Sequence, residues 1–121
     1  MHNYKELIVW QKSMQLAINV YKMLNLLPSY DKYILSSQLI RCANSIPSNI
    51  AEGKAVGGQR YRWHVKIALG SDAELQTQIE LAKRLNLLTE AAADDLLPQA
   101  IEIGRMLAGL YRALPKRPVG E

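Results

Sequence analysis

The sequence predicts an all-α protein, an antiparallel up-down-up-down four-helix bundle that assembles into a homo-oligomer. Three observations carry the fold. Apolar residues recur at spacings of three and four along four long stretches. Short breaks rich in Pro, Gly or Asn separate the stretches. No period-two alternation of the kind that marks a strand competes with them, and no repeat or linker divides the chain. At 121 residues the chain reads as one domain, 1–121. With 49% hydrophobic residues it can remove roughly two-thirds of its unfolded surface from water.

The first helix is expected over residues about 5–24. Leu7, Trp10, Met14, Ala17, Tyr21 and Leu24 form one apolar stripe. Val9, Leu16, Val20 and Met23 form a second, and Pro28 prevents continuation.

The second helix is expected over about 30–53, with Ser29 as cap and Asp31 in the first turn. Its stripe is Leu35, Leu39, Cys42, Ile46 and Ile50. Pro47 falls inside it and predicts a kink near Ala43, with Ser45 or Ser48 satisfying freed backbone groups. Gly53 is expected to end this helix or let it turn. The link Lys54-Ala55-Val56-Gly57-Gly58 follows.

The third helix is expected over about 59–85. Tyr61, Val65, Ala68, Leu75, Ile79 and Ala82 lie on one face, where the small residues Ala68 and Ser71 admit a close neighbour. The fourth is expected over about 89–114, capped by Thr89. Pro98 either bends it or marks the end of a short first segment. Its clear stripe is Leu97, Ile101, Gly104, Leu107, Ala108 and Tyr111; a second is Leu96, Ile103, Met106, Leu110 and Leu114. A basic tail, 115–121, carries Lys116 and Arg117. Double stripes on the first and fourth helices cannot all face one core, which points to association between copies. The alternative is a wide core face with scattered surface hydrophobes.

Composition narrows the function classes. The formal charge of +4 permits acidic partners, including nucleic acid, without demanding them. Cys42 is the single cysteine, which excludes an intramolecular disulfide and a thiolate metal cluster, and its apolar surroundings predict a buried, inert thiol. The N-terminal residues carry no signal-peptide pattern. No apolar run approaches the roughly 20 residues of a membrane span, so a soluble, cytoplasmic protein is expected, without a membrane partner.

Catalytic constellations are missing. The histidines are His2 and His64, no Glu-x-x-His appears, and Gly57-Gly58 lacks the Lys-Ser or Lys-Thr of a phosphate loop. Glu52, Asp72 and Glu74 could meet as paired acids, bond polar neighbours or Arg41, or face solvent. No enzyme, cofactor, metal or small-molecule substrate is expected.

The basic residues cluster. Lys54, Arg60, Arg62 and Lys66 are interleaved with Tyr61, Trp63 and His64. Cations can neutralise phosphates while flat rings stack on unpaired bases, so Lys54, Arg60, Arg62, Trp63, His64 and Lys66 are candidate nucleic-acid contacts. The alternative is a solvated helix face with partly inward-packed aromatics.

Three motifs then carry a resemblance: Leu7-x-Val9-Trp10-Gln11-Lys12; Gln38-Leu39-x-Arg41-x-Ala43-x-Ser45-Ile46-Pro47-Ser48-Asn49-Ile50-Ala51-Glu52-Gly53; and Ile67-Ala68-x-Gly70-Ser71-x-x-Glu74-Leu75. Together they resemble the four-helix-bundle family of 23S ribosomal RNA intervening-sequence proteins, from about residue 4 to 114. The accessory proteins of diversity-generating retroelements share that fold, as pentamers that bind nucleic acid and a reverse transcriptase. The resemblance implies a homopentamer with an RNA- or nucleoprotein-associated role. The alternative is a pentameric protein scaffold without nucleic acid. The family pattern carries over to Gln38, Arg41, Ser45, Asn49, Glu52, Gly53, Ser71 and Glu74. These residues are expected to form a polar seam between the second and third helices, or a pocket built from it. Asn49 and Glu52 are expected to bond Ser71 or backbone near Pro47. The link at residues 54–58 departs from the polar, serine-containing turn of the family.

Overall fold

The computed structural model describes residues 3–116. Asn3 caps a single 3-10 turn, Tyr4–Glu6, by accepting a hydrogen bond from the Lys5 amide at 3.0 Å. Four helices follow: α1 (Ile8–Asn25), α2 (Ser29–Val56), α3 (Gly58–Arg84) and α4 (Glu90–Ala113). There is no strand among the described residues. Each helix packs beside its neighbour in sequence, and α1 closes the bundle against α4. That is the arrangement short links impose on antiparallel helices. The basic tail from Arg117 onward and His2 lie outside the described residues.

The stripes expected for α2 and α3 are the buried ones. Leu35, Leu39, Cys42, Ile46 and Ile50 meet Tyr61, Val65, Ala68, Leu75, Ile79 and Ala82 in the core. On α1 the second stripe is buried throughout, whereas on α4 the buried row draws on both stripes, and Met106, Leu110 and Leu114 are only half-buried. Val9, Leu16, Val20 and Met23 are buried, whereas Met14 and Tyr21 are 37% and 42% exposed. Ser13 completes the buried row between Val9 and Leu16 and satisfies its hydroxyl on the Trp10 carbonyl at 2.9 Å. A locally satisfied serine can occupy a core position at little cost, and it hides the row in a pattern of apolar letters. On α4 the buried row is Ala93, Leu96, Ala100, Ile103 and Leu107, with Ile101 exposed. Its two alanines leave room for the facing helices.

Several boundaries differ from expectation. Pro28, not Ser29, holds the cap position of α2, without a side-chain hydrogen bond. Its backbone carbonyl closes the first turn by accepting from the Lys32 amide at 2.9 Å. α2 passes through Pro47 and through Gly53 and stops three residues later, at Val56. The corner is Gly57, at φ 75°, followed by Gly58 at φ 61°. Both lie in the left-handed region that glycine enters without a Cβ penalty. α4 is continuous through Pro98, and Thr89 caps it as expected, accepting from the Ala92 amide at 3.1 Å.

Candidate nucleic-acid interface

Gly53 explains how the α2–α3 corner is built. It is buried, and a Cβ there would stand 2.7 Å from the His64 Cβ and 3.2 Å from Tyr61 Cδ1. Its role is close approach of two helices rather than chain termination. The contact brings the end of α2 against the first turns of α3, and so places the basic segment at one end of the bundle.

The structure divides that segment. Arg60, Trp63 and Lys66 are exposed on α3. Lys54, half-buried, sits 5.5 Å from the centre of the Tyr61 ring. Arg62 turns towards α4, its guanidinium carbon 3.7 Å from the centre of the Tyr111 ring. The Arg62 Nε is buried without a hydrogen-bond partner among the described residues, so Arg62 is held as a packing group.

His64 does not lie on the basic surface where it was expected. It is 6% exposed and faces α2. Nδ1 lies 2.9 Å from Asn49 Oδ1, and Nε2 lies 3.1 Å from Glu52 Oε2. The reason is its register: His64 lies seven residues before Ser71, hence on the same face of α3. That spacing was the available signal in the sequence.

All eight expected seam residues meet along the α2–α3 interface. Arg41 Nη2 donates to Gln38 Oε1 at 3.1 Å and to Glu74 Oε1 at 2.7 Å. The Cys42 thiol donates to the same carboxylate oxygen at 2.8 Å. Ser45 and Ser71 share a hydrogen bond of 2.7 Å. Asn49 Nδ2 donates to the Ser45 carbonyl at 2.8 Å, leaving its Oδ1 to His64. Asn49 thus bonds backbone close to Pro47, at the Ser45 carbonyl, together with His64, while Glu52 meets His64, and neither bonds Ser71. Burial, reinforced by the Glu74 carboxylate, pushes the Cys42 thiol up to about 12. The hydrogen bonds from Cys42 and Arg41 hold Glu74 below the usual carboxylate range.

The three acids do not form a pair. Glu74 is bound to Arg41, Glu52 to His64, and Asp72 lies apart against α4. Asp72 is 1% exposed; Gln76 Nε2 donates to its Oδ2 at 2.8 Å, and its Oδ1 has no partner among the described residues. Desolvation by burial raises its carboxyl to about 6, against the opposing hydrogen bond from Gln76. Among the described residues, no group of three or more His, Cys, Asp or Glu could hold a metal ion. No helix among them is long and apolar enough to cross a membrane.

Cations without an ion pair among the described residues occur along the whole bundle, Lys22, Lys32 and Arg105 included, and are most numerous at the end where α2 turns into α3. Lys12, Arg41, Lys83 and Arg84 are paired with Glu102, Glu74, Asp94 and Glu80. Lys54, Arg60, Arg62 and Lys66 join no ion pair among the described residues, and neither do Arg112 and Lys116 at the end of α4. Of the acids at this end, Glu52 is already engaged with His64.

Comparison with known proteins agrees with this architecture. The model of the family described as 23S rRNA-intervening sequence protein matches residues 5–109. A crystal structure of a protein with unknown function from the S23 ribosomal protein family, from Bacteroides thetaiotaomicron VPI-5482, is similar with a TM-score of 0.80. The two are 22% identical over 88% of this chain and 100% of the other, so the likeness is one of fold. No curated protein matches the chain.

Proposed function

The chain belongs to the 23S rRNA-intervening sequence protein family, and from that premise we propose that it is a non-catalytic, cytoplasmic bundle that binds structured RNA, or a nucleoprotein, through its basic end. The observation that carries this reading is the cluster of cations without ion-pair partners among the described residues, Lys54, Arg60, Lys66, Arg112 and Lys116, at the end where α2 turns into α3. Unpaired surface cations are free to displace counterions from phosphates.

The proposed assembly is a homopentamer. Exposed apolar residues lie on two different flanks. Met14, Ile18 and Tyr21 are on α1, and Leu81 and Ile101 line a groove between α3 and α4 with Leu97. Contact between unlike surfaces is head-to-tail and closes into a ring when the rotation permits. The number five is carried over from the family resemblance. A ring would repeat the basic end in every subunit and deepen its field.

A salt titration of binding to a structured RNA tests the reading. Affinity is expected to fall steeply and linearly on logarithmic axes as salt rises. Absence of binding to RNA and DNA at low salt would overturn it. The same apolar flanks would then favour the second reading, a pentameric scaffold for a protein partner. Light scattering tests the assembly, and a monomer at micromolar concentration would overturn the ring.

A further inference from the structure

We infer that Trp63 is a stacking platform for an unpaired base, so that this surface selects single-stranded segments of RNA over duplex. The inference rests on the nucleic-acid reading above and deepens it, naming the ligand class and giving Trp63, one of the contacts expected from the sequence, a defined role. Trp63 is 59% exposed on the second turn of α3. Leaving that much indole in water is unfavourable unless something covers it. Arg60 and Lys66 lie three residues to either side, both exposed and without ion-pair partners among the described residues. Residues three apart on a helix are surface neighbours, so the indole lies between two cations. That arrangement offers one base a ring and its flanking phosphates two charges.

The ring is held in place. It meets the His64 imidazole edge-on, with centroids 4.9 Å apart and planes at 77°. His64 is in turn fixed by Asn49, Glu52 and the close approach of Gly53. A stacking group on a fixed support loses little freedom on binding.

Duplex RNA offers little to such a group. Its bases are stacked inside the helix and its major groove is too narrow for side chains to read, whereas unpaired bases can splay onto an aromatic ring. A like-with-like contact with a second copy fits less well, because its matching end would bring the same cations against Arg60 and Lys66, and the head-to-tail contact proposed above uses the flanks of α1 and α3–α4 instead.

The test compares a short oligouridylate with an RNA duplex of equal length at one ionic strength. Trp63 emission is followed in a Trp10→Phe background, and affinity is measured independently by anisotropy in the otherwise native chain. The single strand is expected to quench the emission and the duplex to leave it unchanged. Trp63→Ala should weaken single-strand binding about tenfold, and Trp63→Phe should retain most of it. Salt-sensitive binding of both RNAs that ignores Trp63→Ala would overturn the stacking role and leave the charge reading intact. Absence of binding to either RNA would overturn both. A Trp63→Ala variant with unchanged RNA affinity but a changed mass by light scattering would assign the residue to a subunit contact and overturn the inference.

Discussion

The Cβ that Gly53 lacks would stand 2.7 Å from the Cβ of His64. Neither atom can swing away, because one would belong to the α2 backbone frame and the other is the root of a buried side chain. Gly53→Ala gains about 1 kcal/mol of helix propensity but forces α2 and α3 apart. We expect a net loss of about 1–3 kcal/mol, measured by urea unfolding. A variant as stable as the native chain would show that the corner tolerates separation.

Ser45 and Ser71 share the 2.7 Å bond at the middle of the seam. Ser45→Ala removes the partner of the Ser71 hydroxyl and the acceptor of a 3.1 Å bond from Asn49 Nδ2, whereas Ser71→Ala leaves the Ser45 hydroxyl its bond from Asn49, so we expect a loss of about 1 kcal/mol for each with Ser45→Ala the larger. The double variant should lose less than the sum, with a coupling of about 1 kcal/mol. Strict additivity in a double-mutant cycle would remove the seam as a source of stability.

Asp72 predicts a pH dependence. Its folded carboxyl titrates near 6, raised by burial from 3.8. Between those values the folded chain keeps a proton that the unfolded chain has released. Stability therefore falls as pH rises from about 4 to above 6, by up to about 3 kcal/mol. Asp72→Asn should flatten this slope and be the more stable form near neutral pH. Parallel urea midpoints across that range for both proteins would refute the assignment.

The cations should separate by role. Lys54→Ala, Arg60→Ala and Lys66→Ala together are expected to weaken RNA binding and reduce the salt slope by about one per cation that contacts phosphate, with unchanged thermal unfolding. Arg62→Ala should instead lower stability by about 1 kcal/mol through loss of the Tyr111 contact. An Arg62→Ala variant of native stability that fails to bind RNA would reverse the assignment.

The Cys42 thiol, pushed up to about 12 and bonded to Glu74, should resist alkylation near pH 8 in the folded chain and react on unfolding. Rapid native-state labelling would mean that the seam opens readily.

Helical periodicity is local, so the sequence by itself determined the four helices, the breaks at Pro28, within residues 54–58 and after about residue 85, and the core faces of α2 and α3. The eight seam residues were indicated by the resemblance to the family's motifs rather than by periodicity, and their three- and four-residue spacings place most of them along one edge of each helix. The tertiary structure alone decided which of two apolar stripes on α1 is buried, and that the buried row of α4 draws on both of its stripes. Either stripe satisfies the period, and the choice depends on the helix across the core. It likewise decided that Gly53 is a contact rather than an end, that Arg62 packs on Tyr111, and that His64, whose register already put it on the Ser71 face, bonds Asn49 and Glu52. Those partners lie on other helices, as with His64 and Asn49 at 15 residues' separation and Arg41 and Glu74 at 33. Pairing across such distances is fixed by how helices dock, which no local pattern encodes.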